Sequence, residues 1–152
     1  MQKAGYTIQM TILALDIGKV RTGLAVSDPS GRVASPLKTL TTDQLLAGSA
    51  EFRRILADYD DISLLAGLPV SMDGQEHEQA RWVRDVASRI AAIYQLELGF
   101  VDERRSSSQA EAILREMGYN AKSMRGRIDE VAACIFLQSY LDSKLAQQEE
   151  TR

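Results

Sequence analysis

Apolar and polar positions in the first forty residues fall into three short runs separated by turn residues. Residues 11–16 (TILALD) are apolar almost throughout, 22–28 (TGLAVSD) alternate Leu24 and Val26 with smaller side chains, and 33–40 repeat the pattern more weakly. The gaps between them carry Gly18, Pro29 and Gly31, so the runs predict three antiparallel strands in a meander. A helix is predicted over 42–59, where Thr41 and Gln44 have capping-box spacing and Leu45, Leu46, Phe52, Ile55 and Leu56 make an apolar stripe.

Beyond residue 60 the period alternates between strand and helix. Residues 62–67 (ISLLAG) form a continuous apolar run of the buried-strand type, closed by Leu68 and Pro69. Apolar side chains at Ala80, Val83, Ala87, Ile90 and Tyr94 predict an amphipathic helix over 76–94, and Leu96, Leu98 and Phe100 alternate into Asp102 as a fifth strand. A short helix over 106–117 is stopped by Gly118, a polar loop covers 120–127, and a last helix runs from 128 to about 144. Such an order predicts an α/β fold: a mixed five-stranded sheet, three strands antiparallel and then two parallel, with helices on both faces. Right-handed crossovers set strands four and five parallel to the first, on its free side, and functional residues are expected at the carboxyl ends of these strands.

Composition narrows the function classes. With 152 residues, 45% of them hydrophobic, the chain supports one domain over 1–152, with a short extension at 1–10 and a frayed polar tail at 146–152. Cys134 has no thiol partner in the chain, which excludes an internal disulfide and a cysteine-rich zinc site and suits a reducing compartment. No run approaches the roughly 18 apolar residues of a membrane span, and residues 1–10 lack a signal-peptide core, so a cytoplasmic protein without a membrane partner is expected. His77 is the sole histidine, ruling out multi-histidine metal sites. Leu24 and Ala25 stand where a P-loop needs Lys and Ser or Thr, so phosphate cradling of that kind is excluded. Trp82 and Met117 are expected in helix packing, Cys134 in the core, and His77 facing solvent near a helix start.

Carboxylates are the chemical resource left. Asp16 ends the first strand beside a turn containing Gly18, either a turn cap or a ligand poised under a phosphate. Asp102 and Glu103 follow an apolar strand, where they either pair with Arg104 and Arg105 at a corner or face a site. Asp129 falls on the helical arc of Ala133, Phe136 and Tyr140 that packs on the sheet; it also lies in a first turn, where an anion stabilises the helix dipole. Glu130 lies on the flank. Carboxylates gathered at a sheet end repel one another, and a divalent cation relieves that repulsion while leaving room for phosphate oxygens. Formal net charge is -3, so attraction of a polyanion has to be local. Lys19 and Arg21 follow the first acid, Arg104 follows the second, and Lys122, Arg125 and Arg127 precede the third, each able to hold a backbone phosphate or to serve as solvated surface.

Four blocks, DIGKVRTGLAVSD at 16–28, AGLPVSMDG at 66–74, DERRSS at 102–107 and RIDEVAACIFLQSYL at 127–141, resemble the YqgF (RuvX) family, bacterial proteins related to the RuvC Holliday junction resolvases. The resemblance spans about 11–141 and implies an RNase H-like fold with Asp16, Glu103 and Asp129 as catalytic, metal-holding acids. It further implies a substrate-facing loop at 67–74 and places Arg21 and Arg104 near phosphates. Ser107 stands where the family usually has threonine, and Arg105 where it is commonly apolar. The activity implied is a metal-dependent endonuclease using Mg²⁺ or Mn²⁺ on structured RNA, trimming the 5′ end of pre-16S rRNA. Its rival is a resolvase acting on branched DNA as a homodimer. A kinase-like half domain, suggested by the opening Asp-x-Gly, and a non-catalytic RNA or transcription adaptor are the further alternatives.

Overall fold

The computed structural model describes residues 10–71, 73–104, 106–124 and 127–150. One sheet holds β1 (Thr11–Ile17), β2 (Arg21–Ser27), β3 (Ala34–Thr41), β4 (Ile62–Leu68) and β5 (Glu97–Asp102) in the order β3-β2-β1-β4-β5. β2 pairs antiparallel with both β1 and β3, and β4 and β5 run parallel to β1 on its other side, the predicted meander-then-crossover topology.

Period-2 alternation sorts the strand residues between two cores. Leu13, Leu15, Leu24, Leu64, Ala66 and Leu68 face α1 (Thr42–Leu46), α2 (Ala50–Ala57) and α3 (Glu78–Tyr94). Ala14, Ala25 and Leu65 face α5 (Arg127–Glu150), whose Ala133, Phe136, Leu137 and Leu141 close the second core. α4 (Ser106–Glu116) packs on α5, and Gly118 ends that segment with φ +93°. The small residues under α5 let the helix approach the sheet backbone closely.

Several elements depart from expectation. The helix predicted over 42–59 is two helices, broken where Gly48 takes φ +87° and Ser49 caps α2 by accepting from the Phe52 amide. Tyr94 supports the break: its hydroxyl donates to the Leu45 carbonyl (2.7 Å), which also accepts from the Gly48 amide (3.4 Å), and accepts from the Ser49 amide (2.8 Å), which lacks a helical partner there. The expected capping box of Thr41 and Gln44 is present. The tail expected to fray is helical as far as Glu150, since α5 continues well past residue 144. Met117 does not pack but is 66% exposed, whereas Trp82 packs at the margin of the first core and Cys134 at that of the second. His77 is an exposed N-cap of α3. Among the described residues no helix is long and apolar enough to cross a membrane.

Candidate active site

Strand alternation decides which acids meet. Asp16 follows Ala14 by two residues, and Glu103 follows Val101 by two; Ala14 and Val101 both face α5. Asp102 shares the opposite parity of Phe100, packs no part of this site, and is held at the surface by its neighbour: Arg104 donates to it from its backbone amide (2.8 Å) and from Nε (2.6 Å). The two acids of the DERR block therefore have separate surroundings, and Glu103 alone turns inward.

Two glycines make the space. Asp16 pairs with Gly23 across the β1–β2 ladder. A Cβ at Gly23 would stand 2.1 Å from the carbonyl carbon of Asp129, so the first turn of α5 rests directly on the β2 backbone. A Cβ at Gly67 would stand 2.7 Å from both Oε2 of Glu103 and Cε2 of Phe136. Gly67 is thus a buried β4 residue forming the floor beneath Glu103, not part of an open loop. The substrate-facing segment suggested by the family motif starts after Leu68, and Met72 within it lies outside the described residues. Sequence patterning missed the role of Gly67 and Phe136, since neither carries a reactive group.

The Asp16 and Glu103 carboxyls lie within hydrogen-bonding reach of each other, an approach that two carboxylates tolerate only with a proton or a cation to relieve their repulsion. Burial, the nearby charge of Asp16 and hydrogen bonding with it push the Glu103 carboxyl from its ordinary 4.5 up to about 9. Asp16 rises from 3.8 to about 6; burial and the charge of Asp129 raise it, while the hydrogen bond from Glu103 opposes them. Both carboxyls are thus held above the ordinary carboxylate range, by burial first and by the charge of a neighbouring acid second. Among the described residues no hydrogen-bonding partner from a fixed donor reaches Oε2 of Glu103, which is fully buried.

Asp129 stands next to this pair and is held by Arg21, whose Nε donates to Oδ2 at 3.2 Å. Its carboxylate is therefore drawn toward the β1–β2 turn, and among the described residues no three acidic, thiol or imidazole side chains converge on one point. Glu130 is directed elsewhere and accepts from Thr39 Oγ1 on β3 at 3.2 Å. The site thus consists of a close pair of carboxyl groups and a third acid with a cationic partner.

Basic side chains surround the same end of the sheet. Lys19 is exposed in the β1–β2 turn, Arg21 starts β2, Arg104 follows β5, and Lys122 is exposed before α5. Arg127 opens α5 with its guanidinium 5.1 Å from the Tyr119 ring centroid. Arg125, Arg105 and the side chain of Ser107 lie outside the described residues.

Comparison with known proteins gives a consistent picture. The model of the RuvX family, described as a Holliday junction resolvase, matches residues 10–143. A candidate pre-16S rRNA nuclease of Anaeromyxobacter sp. (strain Fw109-5) is 37% identical over 137 residues, covering 90% of this chain and 100% of that protein. One from Chloroflexus aggregans is 35% identical over 136 residues, covering 90% of this chain and 96% of its own. Among solved structures, Thermus thermophilus RuvC in complex with a Holliday junction substrate aligns with TM-score 0.50 at 12% identity, covering 90% of this chain and 96% of that one. Fowlpox virus resolvase with its junction DNA aligns with TM-score 0.52 at 13% identity, covering 90% and 99%. At such identities the structural likeness is one of fold, and it confirms the RNase H-like arrangement. With four motif blocks in order, a family match over nearly the whole chain and relatives above 30% identity over their full length, this chain belongs to the RuvX family.

Proposed function

We propose that this chain is a divalent-metal-dependent endonuclease that hydrolyses phosphodiester bonds in structured RNA, with Asp16, Glu103 and Asp129 as its acidic set. The observation that carries this proposal is the partly buried Asp16–Glu103 carboxyl pair at the sheet end, which leaves Oε2 of Glu103 buried without a donor. Burying such groups unpaired is costly, and a hard cation satisfies oxygen ligands of this kind. The all-oxygen donor set suits Mg²⁺ or Mn²⁺.

A divalent cation held by this pair would supply Lewis-acid polarisation of the phosphate and would make a water more acidic. Asp16 and Glu103 would hold it at the sheet end in their deprotonated form. Asp129 adds negative charge from the first turn of α5, while Arg21, now paired with it, is close enough in the chain's fold to exchange that partner for a backbone phosphate. Lys19, Arg104, Lys122 and Arg127 contribute phosphate contacts that position the strand without reading its sequence.

The relatives named for pre-16S rRNA support a 16S precursor RNA as the substrate of this chain, and its 5′ end is the place of cutting that the family resemblance implies. A second assignment, a resolvase of branched DNA, is favoured by the description of the family model and by two structural neighbours bound to junctions. The discriminating experiment incubates a 16S precursor transcript, a four-way DNA junction and plain duplexes with the protein, in Mg²⁺, in Mn²⁺ and in excess chelator. Cleavage of the transcript near its 5′ end, abolished by chelator, is expected. Symmetrical cutting of the junction by a dimer, with the transcript intact, selects the second assignment. Full activity in chelator removes the metal from the mechanism, and cleavage of neither polymer removes the nuclease.

A further inference from the structure

Thr22 and Thr42 are two of the four buried polar side chains among the described residues, at 0% and 1% exposure. They lie on the face of the sheet opposite α5 and touch none of the three acids. Thr42 Oγ1 donates to the Gly18 carbonyl at 2.5 Å, and the two threonine hydroxyls are 2.9 Å apart. A hydroxyl has one proton, so with that of Thr42 committed to Gly18 it is Thr22 that donates to Thr42. The Thr42 amide donates to the Val20 carbonyl at 3.0 Å, and the Gly18 amide to the Arg21 carbonyl at 2.8 Å. Apart from the bond between the two hydroxyls, each of these falls on the four-residue turn from Gly18 to Arg21, which begins two residues after Asp16, bears Lys19, and ends at the partner of Asp129.

We infer that the buried Thr22–Thr42 hydroxyl pair is a positioning device that fixes the β1–β2 turn as a phosphate-holding element, an inference that rests on the nuclease assignment above. α1 is only five residues long, and its first residue spends both its amide and its hydroxyl on the turn. Turns of this length exposed to water otherwise sample many conformers, and long cationic side chains on them lose entropy when they meet a phosphate. Clamping the turn from behind sets the backbone from which Lys19 and Arg21 reach, without placing either threonine in contact with substrate.

The test is a double-mutant cycle. Affinity for a fluorescein-labelled 16S precursor transcript, and for a labelled four-way junction, is measured in chelator for the parent, Thr42→Val, Thr42→Ser and Thr22→Val, each also in a Lys19→Ala/Arg21→Ala background. Valine keeps the shape and removes the hydroxyl. Thr42→Val is expected to weaken binding roughly tenfold, Thr22→Val less because Thr42 still reaches Gly18, and Thr42→Ser hardly at all. In the Lys19→Ala/Arg21→Ala background Thr42→Val is expected to change affinity by less than about twofold. An equal loss in both backgrounds, or no loss in either while the parent binds, overturns the inference and leaves the nuclease assignment standing. A parent that binds neither polymer overturns both. Should Thr42→Val fail to fold, amide exchange in the parent decides: Gly18 and Thr42 amides are expected to be strongly protected, and exchange at open-loop rates overturns the clamp.

Discussion

Glu103 and Asp16 bind more protons in the folded, metal-free protein than in the unfolded chain, because burial lifts the first from 4.5 to about 9 and the second from 3.8 to about 6. Where the native state holds the extra protons, stability falls as pH rises. The contribution is fully present below the ordinary carboxyl values and is lost as pH climbs through about 6 and then about 9. Asp28 acts in the opposite sense: hydrogen bonds from the Ser30 hydroxyl and the Val33 and Arg32 amides hold it at about 2, so its contribution is lost only as pH falls toward that value. In chelator, the melting temperature is therefore expected to decline between pH 5 and pH 9. Glu103→Gln, a neutral isostere of the protonated acid, should flatten that decline and melt above the parent at pH 8 while cleaving slower by orders of magnitude. Asp129→Asn should also abolish cleavage but lower stability by less than about 1 kcal/mol, since its pair with Arg21 is partly exposed. Scanning fluorimetry over pH, with single-turnover cleavage in Mg²⁺, measures all of these; a Glu103→Gln variant that cuts like the parent would remove this acid from the site.

At the scale of elements, the seat of α5 on β2 sets the geometry. A methyl at Gly23 meets the backbone of Asp129 at 2.1 Å, and a helix backbone cannot yield locally. Gly23→Ala should cost about 1–3 kcal/mol, in the range of overpacking, and lower kcat by about 100-fold or more by displacing the first turn of α5. Gly67→Ala meets a carboxylate tip and a ring edge instead, at 2.7 Å each, and the carboxylate can swing away. Its stability loss should be smaller than that of Gly23→Ala, with a comparable loss in kcat because the group that moves is Glu103. Melting and kcat measured on both variants check the order, and a Gly23→Ala protein with the parent's kcat would show that α5 does not need this seat. The capping box of α1 and the Gly118 terminator were legible locally, whereas the break at Gly48 was not. The apolar stripe from Leu45 to Leu56 keeps helical spacing across Gly48 and Ser49, which hides the break. The hydroxyl of Tyr94, distant in sequence, supports it by bonding the Leu45 carbonyl and the Ser49 amide.

For the whole molecule, a formal charge of -3 gives no general attraction to nucleic acid. The cations that matter are gathered around the carboxyl ends of β1 and β5 and the start of α5. Release of condensed counterions makes each phosphate contact visible as about 0.7 to 0.9 in the slope of log K against log salt. Replacing Lys122 and Arg127 together by alanine should weaken binding to the precursor transcript and its junction rival alike, and flatten the slope by up to about twice that amount. Anisotropy titrations across a salt series measure it, and an unchanged slope would assign both side chains to ordinary surface.

The sequence by itself determined the strands, their two faces and the sheet order, because period-2 alternation and right-handed crossovers are local or nearly local constraints. Between Asp102 and Glu103 the residues alone left the choice open; only the resemblance pointed to Glu103, and the structure turns it toward the α5 face. Tertiary structure alone decided the rest. Arg21 meets Asp129 across 108 residues of chain, Gly23 and Gly67 matter only for what lies above them, and the raised pKa of Glu103 arises only once burial has removed water from two neighbouring carboxyls. These depend on which surfaces are brought together, and no window of neighbouring residues contains that information.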